Sequence, residues 1–294
     1  MIRATRWMHV VCAALVVLDL LVRSERVRLM LRGAGSRIAF GDALALTAFG
    51  DAAALVTPWR AGGEVGRMIG ARAAGAPLPV VAAVLGVELL MAYAVAAVGG
   101  VWLVAQYGGE WWAAVRPPAG VSSTLWIIVA TVLAGTALLA IVAGSVPAMG
   151  RRVALAVQVV RDGAVAAKCI PARALVVSLG LTVLSLTSRV VVLPLLATML
   201  PEAPPFGVLA LASFTLHYAQ VALPTPSGAG PIELAVLQGG LGTTDAGALL
   251  GWWRLYMTVL PVVAGLALGA ICYGPRAVRL PMFGSRQRIE PDAA

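Results

Sequence analysis

Charged side chains sit inside stretches of this chain that are otherwise apolar, and two of those stretches are interrupted by proline and glycine. The first interruption reads Thr57-Pro58-Trp59-Arg60-Ala61-Gly62-Gly63-Glu64, with Arg67 following. Proline and glycine stop a helix, and the helix that restarts carries Glu64 and Arg67 three residues apart, on one face. Gly62 and Gly63 let backbone approach a headgroup closely, and unpaired amides at a helix start favour anions. Arg60 and Arg67 donate in a fork that matches phosphate oxygens. Together these residues suit a lipid phosphate at the membrane surface. The plainer reading takes Arg60, Arg67 and Arg72 as positive loop charges, which fits Arg72 better than the other two.

The second interruption reads Pro224-Thr225-Pro226-Ser227-Gly228-Ala229-Gly230-Pro231-Ile232-Glu233. It offers Gly228, Gly230 and Glu233 but no arginine of its own, so a cation for Glu233 or for a bound phosphate has to come from Arg189 or Arg254. Paired interruptions in the two halves of a membrane protein point to a transporter's binding site. The alternative is two ordinary helix-ending turns. Glu88 lies well inside an apolar block, Arg189 is the only charge in its block, and Arg254 stands between Trp253 and Leu255. An ionisable group near the bilayer centre costs roughly 2.5–3.5 kcal/mol, so it persists where it faces a cavity or a partner. A purely structural ion pair competes with a binding role at each of the three. His217, beside Tyr218, could relay protons or simply bridge helices. Asp42 and Asp51 are separated by about 13.5 Å along a helix axis, too far to work as a carboxylate pair. Asp42 is expected at the outer interface, and Asp51 is a candidate for lining a cavity.

Other chemistry is missing from the sequence. No G-x-x-x-x-G-K-S/T loop precedes Lys168, the chain's one lysine, and neither H-E-x-x-H nor G-x-S-x-G occurs. Cys12, Cys169 and Cys272 have no ligand spacing and lie in or beside apolar blocks, where cysteine behaves as a small hydrophobe. ATP hydrolysis, metal or cofactor chemistry and covalent catalysis are therefore not expected, and the chain is not expected to be an enzyme.

The elements that must position these charges follow from composition. Of 294 residues, 60% are hydrophobic and 12% charged, against about 25% charged in soluble domains. The apolar residues fall into seven blocks, approximately 8–22, 38–57, 80–106, 125–147, 174–200, 206–223 and 246–273, and about 20 such residues span a bilayer. An all-α, polytopic transmembrane bundle of seven to eight crossings is expected, with one or two broken or re-entrant helices. Residues 1–273 form the membrane domain and 274–294 a basic cytoplasmic tail. Arg23, Arg26 and Arg28 follow the first block with no cleavage site, which makes it a retained span. The net charge of +9 is dispersed among connections and forms no nucleic-acid stripe.

Lysine and arginine mark cytoplasmic loops. The connection 148–173, with Arg151, Arg152, Arg161, Lys168 and Arg173, is therefore placed inside. Counting back through four spans puts the N-terminus and the connection holding Arg60, Arg67 and Arg72 inside as well. Two segments resist. Residues 23–37 would fall outside, where they would form a short amphipathic helix in the interface. The tail, with Arg276, Arg279, Arg286 and Arg288, belongs inside, which an eighth crossing within 224–245 would allow.

At the two interruptions the sequence resembles the transmembrane flippase-like domain found in lysylphosphatidylglycerol synthases and in stand-alone proteins of the same type. The family's first motif is similar to Pro58, Gly63-Glu64 and Arg67; its second to Pro224-Thr225-Pro226, Gly228, Gly230 and Glu233. A later aromatic helix bearing an arginine is matched by Trp252-Trp253-Arg254. The resemblance covers roughly residues 8–273. Asp51 and small residues stand where the family often has an asparagine, and Ser227 and Ala229 stand where glycines are usual, so substrate contacts differ there. Only 21 residues follow the last block, so no counterpart of the aminoacyl-transferase domain of the bifunctional members is expected.

The resemblance implies lipid translocation without lipid synthesis. A phospholipid or polyprenyl-linked glycolipid would move between leaflets of the bacterial inner membrane by alternating access. Arg60 and Arg67 would engage its phosphate, and Glu64 and Glu233 would line the route or trade partners with Arg189 and Arg254. The lipid is the expected partner and nucleic acid is not, with a lipid-biosynthetic enzyme and a second copy of the chain left open. Two other readings stand beside this one: an integral-membrane headgroup transferase with Glu64 or Glu233 as base, and a scaffold that transports nothing.

Overall fold

The computed structural model describes residues 2–57, 60, 62–114, 168–200, 203–220 and 246–274. Among them every regular element is helical. Four stretches are long and apolar enough to cross a membrane: Arg6–Gly33, Leu78–Trp111, Ala172–Ala197 and Gly247–Cys272. The first belongs to α1 (Ile2–Gly33) and the second to α4 (Leu78–Ala114). The third joins α5 (Ala172–Val190) to α6 (Val192–Ala197). The fourth runs from α8 (Ala246–Arg254) through one π-helical turn (Leu255–Val259) into α9 (Leu260–Cys272). Their outward faces are bare hydrocarbon: Leu90 and Val98 on α4 are 73% exposed and Ile271 on α9 is 79% exposed. Water penalises such a surface and lipid tails do not. The helical membrane bundle expected from composition is what the chain forms.

Three shorter helices complete the described residues: α2 (Phe40–Val56), α3 (Gly62–Ala73) and α7 (Phe206–Ala219). At 1.5 Å per residue α1 is about 48 Å long, whereas α2 reaches about 25 Å and α3 about 18 Å. Neither short helix alone covers a hydrocarbon core of roughly 30 Å. They fold back on each other instead. Gly63 of α3 packs on Ala54 of α2, Gly66 on Ala53, and Gly70 on Leu46, so α3 retraces α2 in the opposite direction. The glycine stripe is what allows this, because a Cβ on Gly70 would come within 2.7 Å of the Leu46 Cβ. At the tip, Thr57 Oγ1 accepts from the Gly62 N–H at 2.8 Å and so caps α3.

Buried clusters define the two ends of the bundle. Leu31, Ile38, Ala71, Ala76, Ile170 and Tyr273 pack together. The α1–α2 turn, the α3–α4 turn, the start of α5 and the end of α9 therefore share one end. Cys12, Leu196, Leu209, Leu249 and Trp253 form the other cluster, which joins the first part of α1 to α6, α7 and α8. From that second end α7 runs inward, with Gly207 against Tyr107 and Phe214 against Gly100. It stops where Gln220 accepts a hydrogen bond from Arg60 at 2.8 Å, at the tip of the α2–α3 hairpin.

This architecture corrects the loop count made from charge. The second apolar block does not run through the bundle; it turns at Thr57 and returns. Arg60 and Arg67 consequently lie in the bundle interior, not in a loop at its surface. The first residues of α1 and Ile170 lie at opposite ends, so the N-terminus and the connection preceding α5 are not on the same side. Residues 23–33 form no separate interfacial helix; they are the last third of α1, and Arg26 is buried. The expected span 125–147, the crossing within 224–245, the second motif with Gly228, Gly230 and Glu233, and the tail beyond Gly274 lie outside the described residues.

The hairpin has a direct test. In a variant lacking the native cysteines, Arg37→Cys and Ala73→Cys, both exposed and at the same end, should react with a membrane-impermeant maleimide from one face of the membrane. Arg6→Cys should react from the other. Labelling of Arg37→Cys and Ala73→Cys from opposite faces would mean that α2 crosses.

Candidate functional site

Asp19, Arg23 and Arg26 follow one another on α1 at intervals of four and three residues, which places all three on one helical face. That face looks onto α2 and α5. Arg23 donates to both oxygens of Asp51, through Nη1 at 2.7 Å to Oδ1 and through Nη2 to Oδ2, and its Nε reaches Asp19 at 3.0 Å. Asp19 also accepts from Arg189 Nε at 2.9 Å and from Ser185 Oγ at 2.5 Å. Arg189 Nη1 lies 2.8 Å from His217 Nε2. A guanidinium can only donate, so Nε2 accepts and the imidazole is neutral with its proton on Nδ1.

A second cluster is centred on Glu88, which is 1% exposed. Its Oε1 accepts from Arg26 Nε at 2.8 Å and its Oε2 from Arg67 Nη2 at 2.5 Å. Arg26 Nη1 donates in turn to Thr182 Oγ1 at 2.9 Å. Glu64 holds Arg67 more loosely, at 3.5 Å, and its side chain is 42% exposed. An isolated charge in so dry a place would be very costly, and pairing with hydrogen bonds to the remaining polar atoms offsets that cost. Each of these carboxylates has such a partner.

Arg60 differs from the other cations. Its backbone is in the left-handed region at φ 56, the one non-glycine residue so placed among the described residues. That conformation costs an L-residue about 1–3 kcal/mol and clusters at ligand sites. The hydrogen bond its side chain makes goes to the neutral amide of Gln220 and not to a carboxylate.

Two hollows flank this layer of charge. One, of ≈ 320 Å³, adds Arg26, Glu64, Arg67, Glu88, Thr182 and Tyr218 to its walls. The other, of ≈ 230 Å³, is walled by Leu15, Val16, Leu55, Met257 and Leu260 and lies toward the end marked by Cys12. Arg23, Asp51, Arg60, Arg189 and His217 border both hollows and so stand between them. The π-helical turn belongs to the smaller one, where Tyr256 and Met257 precede Pro261, whose missing N–H breaks the regular ladder.

Of the residues singled out from sequence, Arg60, Gly63, Glu64, Arg67, Glu88 and Arg189 line the larger hollow together. Gly62 is held behind it by Thr57, and Asp51 and His217 border both hollows. Arg254 lines neither; its guanidinium lies 5.5 Å from the Trp253 ring and 3.4 Å from Thr258 Oγ1. Arg189 holds Asp19 and His217, and Glu233, the expected partner of Arg189 or Arg254, lies outside the described residues. Asp19, Arg23 and Arg26 are not among the site residues read from the sequence, where the two arginines figure only as charges after the first block, although the helical spacing is visible there.

The two clusters respond differently to neutralisation. Glu88→Gln leaves buried Arg26 without a carboxylate and Arg67 with only the looser contact to Glu64, and should cost about 3–5 kcal/mol, read as a lowered unfolding midpoint in detergent. Glu64→Gln, half-exposed and weakly paired, should cost less than about 1 kcal/mol. Equal midpoints for the two variants would show that Glu88 is not held as a buried ion.

No curated protein and no solved structure matches the chain. The sequence model of the lysylphosphatidylglycerol synthase TM region matches residues 1–265 of the 294. With its apolar spans this makes the chain a multi-pass integral membrane protein of lipid metabolism or transport, and it belongs to the lysylphosphatidylglycerol synthase TM family.

Proposed function

We propose that the protein carries the headgroup of a phosphate-bearing lipid from one leaflet to the other, with no covalent step. The observation that supports this most is the layer of Arg23, Asp51, Arg60, Arg189 and His217 shared by two hollows, the smaller walled along α1 by residues before Arg23 and the larger by Arg26 beyond it. A structural ion-pair network needs no empty space on either side; a carrier does.

Orientation follows from charge. Arg28, Arg32, Arg37, Arg72 and Arg173 belong to the end marked by Leu31 and Ile170, and a concentration of arginine marks the cytoplasmic side. In a bacterial inner membrane the larger, polar hollow would then face the cytoplasm and the smaller, apolar one the outer leaflet. The α2–α3 hairpin becomes a re-entrant element that enters and leaves on the cytoplasmic side, with Arg60 at its deepest point. Residues 23–37 and the end of α9 also fall inside, and the start of α1, with Arg3 and Arg6, falls outside.

In this reading a phosphate enters the polar hollow and takes Arg60 from Gln220, since a charged acceptor holds a guanidinium more strongly than an amide does. The same phosphate competes with Asp51 for Arg23. Loosening that pair opens the layer toward the second hollow, while the acyl chains stay in the bilayer. Binding and gating thus use the same arginines, as alternating access requires.

The test is a vesicle assay with a fluorescent phospholipid whose outer-leaflet fraction is quenched by dithionite. Protein-containing vesicles should equilibrate the lipid faster than empty ones. Arg60→Gln should slow the protein-dependent rate by about tenfold or more, since a charge-assisted contact is worth about 1.5–3 kcal/mol. Equal rates for wild type and a folded Arg60→Gln protein would remove Arg60 from the mechanism.

A further inference from the structure

We infer that the smaller hollow opens at the seam between α1 and the π-helical turn, that His9 and Tyr256 latch this seam, and that Pro261 is its hinge. The inference rests on the transport reading and adds to it the point at which the headgroup leaves for the outer leaflet. Among the described residues the wall of the smaller hollow begins at Ala13 along α1 and at Tyr256 along the fourth span. His9 stands about one helical turn outward of Ala13, and Trp252 about one turn outward of Tyr256. These side chains meet across the outer limit of the hollow. The His9 ring lies 4.4 Å from the Trp252 ring, and its Nδ1 is 2.9 Å from the Tyr256 hydroxyl. The same hydroxyl donates to the His9 carbonyl at 3.3 Å, so it ties both the ring and the backbone of α1 to the fourth span.

Lipid decides which contacts hold such a seam. Cys12, Leu15 and Met257 also pack at this end, but lipid tails replace apolar contacts of that kind at little cost, whereas a hydrogen bond between helices has no substitute among them. The polar latch is therefore what keeps the seam shut. The helix is weak at the same place. The Leu260 N–H bonds to the Leu255 carbonyl, five residues back. The next donor in the ladder is missing because residue 261 is proline, which marks the point where a helix bends. On the inner side of that point α9 is fixed to α2, with Gly265 against the Ala48 carbonyl and Gly269 against Phe49, too close for a Cβ at either. Movement about Pro261 thus leaves α9 in place and carries the π-helical turn, with Tyr256, away from His9.

The test begins with a variant lacking the native cysteines in which Val16→Cys, on the wall of the smaller hollow, is labelled by a membrane-impermeant thiol reagent from the face at which α1 begins. Adding Tyr256→Phe keeps the ring and removes the latch, and labelling should become about threefold or more faster, as the loss of one hydrogen bond implies. Adding Pro261→Ala restores the missing donor and should slow labelling. In the same cysteine-free background, His9→Cys with Tyr256→Cys, bridged by a short bis-methanethiosulfonate, should stop the flipping of a fluorescent phospholipid in vesicles, and reduction should restore it. The bridged pair alone decides the matter if the phenylalanine variant does not fold. Undiminished flipping with the pair fully bridged, or equal labelling with and without Tyr256→Phe, would overturn the gate while leaving transport intact. Absence of flipping even in the wild type, together with faster labelling in the Tyr256→Phe variant, would remove the transport reading and leave the moving seam in place.

Discussion

A charge cannot be left alone in the interior of a lipid-embedded bundle, and the arrangement of this chain follows from meeting that constraint four times. Asp19, Asp51, Glu64 and Glu88, one on each of α1 to α4, are each matched by an arginine, and three of the four by an arginine on another helix. The pairs fix how the helices stand relative to one another. Asp51 sets the height of α2 against α1, Glu88 ties α4 to both α1 and α3, and Asp19 draws in α5. Apolar packing alone would allow these helices to slide, since lipid tails compete with leucine for every face. A buried ion pair does not slide, because losing register exposes a bare charge.

The same constraint explains why helices are broken where they are. α2 turns back at Thr57 and α7 stops at Gln220, so two helix ends meet where a continuous helix would have filled the space. Backbone polar groups at such ends need partners or a wet cavity. Thr57 supplies one partner, and the hollows beside Arg60 supply the cavity. Space and an arginine held only by an amide therefore coincide, and they do so between two clusters in which each carboxylate has an arginine partner. The paired clusters hold the scaffold, and Arg60 is held to α7 through the Gln220 amide.

Much of this was legible in the residues. The helical membrane bundle followed from composition, and Arg60, Glu64, Arg67, Glu88 and Arg189 stood out as charges that apolar surroundings would not tolerate without a purpose. What misled was the second apolar block. Residues 40–56 are nearly long enough to span, and hydropathy cannot distinguish a span from one arm of a hairpin. The distinguishing signal was Gly63, Gly66 and Gly70 at intervals of three and four on the following helix, the spacing that lets two backbones touch. Arg23 and Arg26 were hidden for a related reason. Arginines after an apolar block look like the end of a span, and only their register with Asp19 reveals that the helix continues with these side chains turned inward.

The claim on which the rest depends is that the tip of the α2–α3 hairpin meets the end of α7 inside the bundle. It is tested most directly by paired cysteines at Arg60 and Gln220, in a variant without the native cysteines, treated in native membranes with a short bifunctional thiol reagent. A control pair at Gly33 and Ala174, which lie against each other at one end of the bundle, reports that the fold is intact. Efficient cross-linking of both pairs is the expected result. Cross-linking of the control pair but not of the Arg60–Gln220 pair would contradict the meeting of the two broken segments.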